Sequence, residues 1–439
     1  MRAFLKKVII KVLMWEARMV IKKYRPKIIA ITGSVGKTST KDAIYSVVSQ
    51  GAYVRKSEKS FNSEIGVPLT ILGIPNAWSD PLRWLQNIFD GLFLIVFRSP
   101  YPQWLVLEVG ADRPGDIRSL AAWLPVDIAV ITRLPDVPVH VEFFDSPEAV
   151  AEEKASLIGA LKEGGTLILY ADDERTKNLS GRAQGKHVLL YGMNPEAYVH
   201  AEHILPMMEM DGYPVGMSAQ IKVGETTAPL EIRGSIGTHA LISALAGVAV
   251  GSVFKKQVDE MVRALKSYNP PPGRMRLIKG SKGTLLIDDT YNSSPAAAAA
   301  ALDALAFIGP HFAKAQHHRG RRIAVLGDML ELGRHSVEEH RKLGAHVAKN
   351  ATLLLTVGFR ARDIAGGALE HGLKEGAILQ FKDSDTAGRE LANLIRPGDT
   401  IAVKGAQGGR MEKIVATLMA KPEEAHDLLV RQDEEWKKR

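Results

Sequence analysis

Lys37 and Thr38 close a glycine turn, Gly33-Ser34-Val35-Gly36, which follows the β-branched run Ile28, Ile29, Ile31 and Thr32. A strand, a glycine turn, a lysine and a hydroxyl in that order build a phosphate cradle. The glycines let backbone N–H groups converge on an anion, and the N-terminus of the next helix adds positive potential. Lys37 is expected to reach the outer phosphates of a nucleotide, and Thr38 to hold Mg²⁺. Gly33, Ser34, Val35, Gly36, Lys37, Thr38 and Ser39 are therefore the candidate phosphate-binding residues. The strict pattern's leading glycine is absent, so the turn alone also fits an ordinary strand-to-helix connection, and the rest of the chain must decide.

The elements around the turn point the same way. Trp104 to Gly110 (WLVLEVG) reads as a buried strand ending in Glu108. Ligands of an open α/β sheet gather at the carboxyl ends of its strands, which makes Glu108 a candidate Mg²⁺ ligand. Val126 to Thr132 is another buried strand, followed by His140, Glu142 and a helix carrying Lys154. Residues 186–236 look β-rich, and Gly237-Thr238-His239 opens an alanine-rich helix. The run KSYNPPPGRMR, with three consecutive prolines, marks a linker. Beyond it, strands (LLIDD, RIAVL, DTIAV) alternate with helical patterns, the rhythm of a parallel sheet. The expected fold is α/β: a central P-loop-type parallel-sheet ATPase domain over residues 28–269, then a Rossmann-like domain over 270–439, preceded by an N-terminal helix over 1–27. The tail from Pro422 reads as a charged, solvent-facing helix.

The 439 residues contain no cysteine, which excludes disulfides and thiolate metal sites. Nine of the 57 Lys and Arg lie in residues 1–27 against a single acid, Glu16, so the body of the chain is balanced and the net +8 belongs to the arm. A nucleic-acid-binding body is not indicated. Within residues 1–24, Leu5, Ile9, Val12, Leu13 and Val20 share one side of a helix, and Lys7, Lys11, Arg18 and Lys22 the other. Two readings follow: a helix docked on the body, or a basic amphipathic helix touching an anionic membrane surface. Leu82 to Phe97 is similarly apolar, too short and interrupted to span a bilayer, and is expected to be a buried helix. The expected location is cytoplasmic, with peripheral contact at the inner membrane face as the second reading.

Seven segments in order, ITGSVGKTST, FNSEIGVPLTIL, LEVGADRPGDI, HVEFFDSPEAVAEEK, DDTYNSSP, VLGDMLELG and VKGAQGGRMEKI, resemble the Mur ligases over about residues 28–420. Within that family the chain is most similar to the MurF type, which joins D-alanyl-D-alanine to a UDP-N-acetylmuramoyl-tripeptide. The resemblance implies an ATP- and Mg²⁺-dependent amide-bond ligase of peptidoglycan precursor synthesis that works through an acyl phosphate. It implies that His140 ligates a second metal and that Lys154 is carbamylated to do the same. It implies that Arg274 reaches ATP phosphate from the linker and that Asp289, Tyr291 and Asn292 contact the nucleotide. Asn62, Lys404 and Arg410 are implied to face substrate. Departures are also plain. Where the family carries a UDP-binding domain the given sequence has a 27-residue arm, so uridine recognition is expected to be handled differently, with a lipid-linked acceptor as an alternative. The family's paired asparagines are Thr132-Arg133 here, and its His-Asn-x-x-Asn element is His239-Ala240-Leu241-Ile242-Ser243, so the adenine contact that the resemblance implies is expected to be lost, water-bridged or made by Ser243. These losses motivate a further alternative, a non-catalytic nucleotide-binding regulatory protein.

Overall fold

A computed structural model describes residues 2–58, 61–77, 80–433 and 436, with side chains from residue 8 onward. The chain builds two sheets. The first uses β1 (Lys27–Thr32), β2 (Val54–Lys56), β3 (Trp104–Glu108), β4 (Val126–Ile131), β5 (Leu161–Tyr170), β6 (His187–Gly192), β7 (Val199–Met208), β8 (Pro214–Val223) and β9 (Thr226–Arg233). Their order is β2-β3-β1-β4-β5-β6-β7-β8-β9. Pairing is parallel from β2 to β7 and antiparallel from β7 to β9, so the sheet is mixed where the sequence suggested a parallel one. The short turns between β7, β8 and β9 leave no room for crossover helices, and that forces antiparallel pairing. The second sheet uses β10 (Arg276–Gly280), β11 (Thr284–Asp289), β12 (Arg322–Gly327), β13 (Leu353–Val357), β14 (Ile378–Phe381) and β15 (Thr400–Lys404), in the order β10-β11-β15-β12-β13-β14. Only the β10–β11 edge pair is antiparallel among these strands.

Three helices start with the same local chemistry, a capping side chain followed by proline. Asp80, Ser146 and Ser294 accept hydrogen bonds from the first-turn amides, and Pro81, Pro147 and Pro295 occupy positions whose N–H would be unpaired anyway. The helix Pro295–Ala315 is long and apolar enough to cross a membrane. Its Leu302, Leu305, Ile308 and Phe312 are fully buried, as in a core helix lying on a sheet.

Hydrogen bonds and ion pairs join the halves at several points, among them Lys279 with Asp211 at 2.6 Å. Ile236 and Leu277 donate to the carbonyls of Met275 and Gly234, which ties the end of β9 to the start of β10. Farther along, His140 meets Glu331 across 2.7 Å.

Helix α1 (Arg2–Tyr24) docks on the body: Leu13, Ala17 and Val20 are fully buried in the core beneath β1 and β3. Helix α2 (Lys37–Val48) follows the glycine turn, and α3 (Gly66–Leu72) is buried along its whole length. Helix α4 (Pro81–Val96) corrects the expectation of a buried segment, because just one of its two apolar sides is covered. The tail is also not a charged surface helix. After short turns at Pro422–Glu424 and Ala425–Leu428 it runs inward, burying Leu429 and the Arg431 side chain.

Candidate active site

The glycine turn sits at the carboxyl end of β1, between β3 and β4. Gly33 has φ +137°, and a Cβ there would lie 2.0 Å from Thr132 Oγ1 on the neighbouring strand end, so nothing larger than glycine fits. Gly36, at φ +85°, turns the chain into α2. The first-turn amides of α2 have no intrahelical carbonyl to reach and are aimed out of the helix, the geometry that receives a phosphate. Thr38 lies in this first turn. Ser34 contributes differently: its amide is bonded to Arg133 O at 3.0 Å, and its buried hydroxyl has no partner. Lys37 Nζ donates to Gly33 O at 2.9 Å, and burial, partly offset by Glu108, lowers its pKa.

Glu108 ends β3 almost fully buried. Its amide donates to Ser57 Oγ, and Asn62 Nδ2 donates to Oε1 at 3.2 Å. Oε2 has no hydrogen-bond donor, and its nearest cation is the buried Lys41 Nζ at 3.9 Å. A buried carboxylate oxygen left this way is costly unless a cation arrives. Lys41 was not foreseen as a site residue. It lies one helical turn beyond Lys37, and that i, i+4 spacing was the available signal.

His140 adopts φ +69°, which turns its ring toward Glu331 Oε2 at 2.7 Å and Asp112 Oδ1 at 3.5 Å. The hydrogen bond from His140 lowers the Glu331 pKa. Lys154 is buried on the helix Pro147–Ala155. Burial first, and then the charge of Lys37, lower its pKa to about 7. Its neighbour Glu153 caps the helix Asp116–Ala121, accepting from Gly115, Ile117 and Arg118 amides, and so fixes the Lys154 turn in place. Among the described residues no group of three or more His, Asp or Glu side chains is arranged to hold a metal. The donors fit Mg²⁺ nonetheless, since that ion keeps several waters and binds through one or two carboxylates together with substrate phosphates. Glu108 Oε2 supplies such a carboxylate oxygen.

The second half closes the site from above. A narrow cleft is lined by Gly36, Ser39, His239, Ser243, Tyr268, Arg274, Asp289 and Lys404, among others. Ser243 stands beside the turn, its Oγ 4.0 Å from the point where a Gly36 Cβ would be. His239 is half-buried with a buried, unpartnered Nε2, and desolvation lowers its pKa to about 4, so the ring is neutral. Arg274 stacks over the Tyr291 ring at 4.1 Å. Asp289 and Lys404 are register neighbours at the ends of β11 and β15 and pair at 2.6 Å. Lys404 Nζ also donates to Asn292 O at 2.8 Å, so this lysine forms a cleft wall, not a surface charge. Arg410 lies farther out, held by Glu412 at 2.6 Å and by the Trp436 carbonyl. Arg431, which no local pattern marks, donates to the Thr290 and Tyr291 carbonyls and to Glu412. It thereby supports the segment that carries Asp289 and Asn292.

Comparison with known proteins finds relatives of both halves and of the fold. The Mur ligase middle domain matches residues 31–81 and 93–251, and the Mur ligase glutamate ligase domain matches residues 273–407. The UDP-N-acetylmuramoyl-tripeptide--D-alanyl-D-alanine ligase of Bacillus subtilis is 30% identical over 409 residues, covering 92% of this chain and 79% of its own length. The enzyme of that name from Escherichia coli is 26% identical over 395 residues, covering 89% of this chain and 76% of its own. The fold matches that of the MurF ligase from Thermotoga maritima solved with ADP, with a TM-score of 0.74 at 24% identity, covering 95% of this chain and 84% of that one. A pseudomurein peptide ligase type C from Methanothermus fervidus shares the fold at a TM-score of 0.61 and 16% identity, covering 89% and 78% of the two chains.

Proposed function

The chain belongs to the Mur ligase family, and from that premise we propose that it is an ATP-dependent amide ligase of peptidoglycan precursor synthesis, joining D-alanyl-D-alanine to a muramoyl-tripeptide. The observation that carries this reading is the orphaned Glu108 Oε2 facing a glycine turn and a desolvated lysine. In the proposed reaction a substrate carboxylate oxygen attacks the γ-phosphorus of ATP and ADP departs. The amine nitrogen of the dipeptide then attacks the acyl carbon, the amine loses a proton, and inorganic phosphate leaves. Lys37 and the first-turn amides of α2 hold the transferring phosphoryl group and offset its charge. Thr38 and Glu108 would hold Mg²⁺, which supplies charge neutralisation at the phosphates.

For Lys154, a pKa of about 7 leaves much of the amine neutral near physiological pH, the form that adds to CO₂. A carbamate there, with His140, would offer anionic and imidazole donors to a second metal. Glu331 would then orient the His140 ring from behind, as carboxylates do for metal-bound histidines. Arg274, Tyr291, Asn292, Asp289 and Ser243 are the proposed nucleotide contacts, and Asn62, Lys404 and Arg410 the proposed substrate contacts. We place the division between the domains at residues 269/270, before the hinge that carries Arg274. ATP use makes the cytoplasm the proposed location. The exposed Lys11, Arg18 and Lys22 of α1 add a peripheral contact with the inner membrane face.

The test is phosphate release from ATP and Mg²⁺ with UDP-muramoyl-tripeptide, with and without D-alanyl-D-alanine. Release that depends on the dipeptide, with an amide product of the right mass, is expected. Release indifferent to the dipeptide and no amide product would reject the assignment. Glu108→Gln is expected to lower turnover on the order of 10²-fold while leaving thermal stability equal or higher, because an uncompensated buried charge is removed.

A further inference from the structure

Helix α4 has two apolar sides, and one of them faces outward. The inner side buries Asn87 and Gly91, with Gly91 packed so closely on Glu16 of α1 that a Cβ would fall 2.3 Å from Oε2. The outer side carries Leu82, Leu85, Phe89, Phe93 and Val96 at helical spacing, 52 to 78% exposed. Phe97 extends it, with its ring 4.7 Å from that of Phe93. Apolar residues scattered singly on a surface need no explanation, but five on one side of a sixteen-residue helix do. Beside α4, helix α1 exposes Val8 and Trp15 together with Lys11, Arg18 and Lys22. Lys23 ties the two helices by donating to the Leu94 and Ile95 carbonyls at 2.9 and 3.0 Å. Where α1 hands over to β1, an open cavity of about 520 Å³ is lined by Arg25, Lys27 and Arg98 with Tyr24, Tyr101 and Trp104.

We propose that the outer side of α4 seats on a bilayer bearing anionic headgroups, its leucine and phenylalanine side chains entering the headgroup–acyl boundary while the α1 and cavity cations face lipid phosphates. The proposal rests on the reading that α1 touches the membrane, and it assigns the apolar share of that contact to α4. An apolar stripe flanked by Lys and Arg, with an aromatic at the margin, is the pattern of helices that lie in a membrane interface. Charge argues against a second copy as the occupant. A twofold contact through this face would bring Lys11, Arg18, Lys22, Arg25, Lys27 and Arg98 near their own counterparts. Asp80 and Asp90, exposed on α4, are too few to offset them.

The experiment uses the full chain and flotation with phosphatidylcholine vesicles, with and without phosphatidylglycerol. Wild type is expected to bind the phosphatidylglycerol vesicles. The pair Phe89→Glu and Phe93→Glu is expected to weaken binding about tenfold or more, with unchanged ligase turnover in solution as the check on folding. Neutralising Lys11, Arg18 and Lys22 to Gln should weaken it about fivefold per charge. Binding that survives the Phe variants but not the Lys and Arg variants overturns the role of α4 and leaves the α1 contact standing. Absence of wild-type binding overturns both. Release by inorganic phosphate would mean a pocket for free anions and overturn the proposal. So would a dimer in sedimentation equilibrium that the Phe variants split and that ignores vesicles.

Discussion

Buried charge is handled in opposite ways in the two halves of the cleft. Around the glycine turn, Glu108 Oε2 accepts no hydrogen bond and has Lys41 Nζ 3.9 Å away, Lys37 gives its ammonium to a backbone carbonyl, and burial has taken Lys154 below its ordinary basicity. Across the cleft the buried charges are closely matched. Lys404 takes Asp289 at 2.6 Å, Arg431 takes Glu412 at 2.8 Å, and Arg410 takes the other Glu412 oxygen at 2.6 Å. Both arrangements pay a desolvation cost, but only the second recovers it within the chain. The first stores unmet demand that a nucleotide and its cation would satisfy. Pairing quality, more than burial, separates the binding side from the scaffold side.

Four substitutions bear on this contrast. The largest effect is expected from Lys37→Ala, a loss of turnover on the order of 10³-fold with little change in melting temperature. A large drop in melting temperature would make Lys37 a structural residue and blur the distinction. Lys404→Ala should behave in the reverse sense, costing about 3–5 kcal/mol in urea unfolding because Asp289 is left buried and unpaired. An unchanged unfolding midpoint would show that this pair contributes nothing and that the scaffold side is misread.

Lys154 sharpens the comparison through pH. Its pKa is about 7 in the fold and ordinary when unfolded, so between those values the native state holds fewer protons and stability rises with pH, levelling off above the unfolded value. Below about pH 7 the cost of the buried ammonium is present in full. In CO₂-depleted buffer Lys154→Met should therefore stabilise the protein, by on the order of 2 kcal/mol more at pH ~6 than at pH ~9, and impair ligation. A pH-independent gain would contradict the electrostatic origin. Arg410→Ala should have the smallest effect, about 1 kcal/mol or less, since its side chain is partly open to solvent. A raised KM for the acceptor with unchanged stability is expected of a substrate contact, and a loss of stability with unchanged KM would make Arg410 a scaffold residue alone.

Local chemistry made part of this visible in the sequence. The cradle needed glycines, β-branched strand residues and a lysine within a dozen positions, and all are adjacent in the chain. The helix starts at Asp80-Pro81, Ser146-Pro147 and Ser294-Pro295 carry a signal of the same local kind, a capping side chain before proline. What could not be read depends on distance. Lys404 meets Asp289 from 115 residues away, and Arg431 supports Tyr291 from 140, so only the finished sheet shows that these charges are matched. The misjudged helix is instructive too. An apolar run such as Leu82–Phe97 states that a segment avoids water, but not what will cover it, and α4 has one side in the core and the other at the surface. Glu16, a lone acid in a basic arm, gave no hint that it would be buried against Gly91.

Gly33 carries one last consequence. Because it admits no Cβ and because the Ser34 amide is bonded to Arg133 O, the cradle is mechanically continuous with the β1–β4 strand pair. Its opening is then a sheet event, not a loop event. In hydrogen exchange the Ser34 amide should report the slow, cooperative opening of the central sheet, while amides of the surface turn near Gly212 exchange by fast local excursions. The phosphate-binding loop would then be among the last parts of the first half to lose its shape, and nucleotide binding would meet a surface already formed.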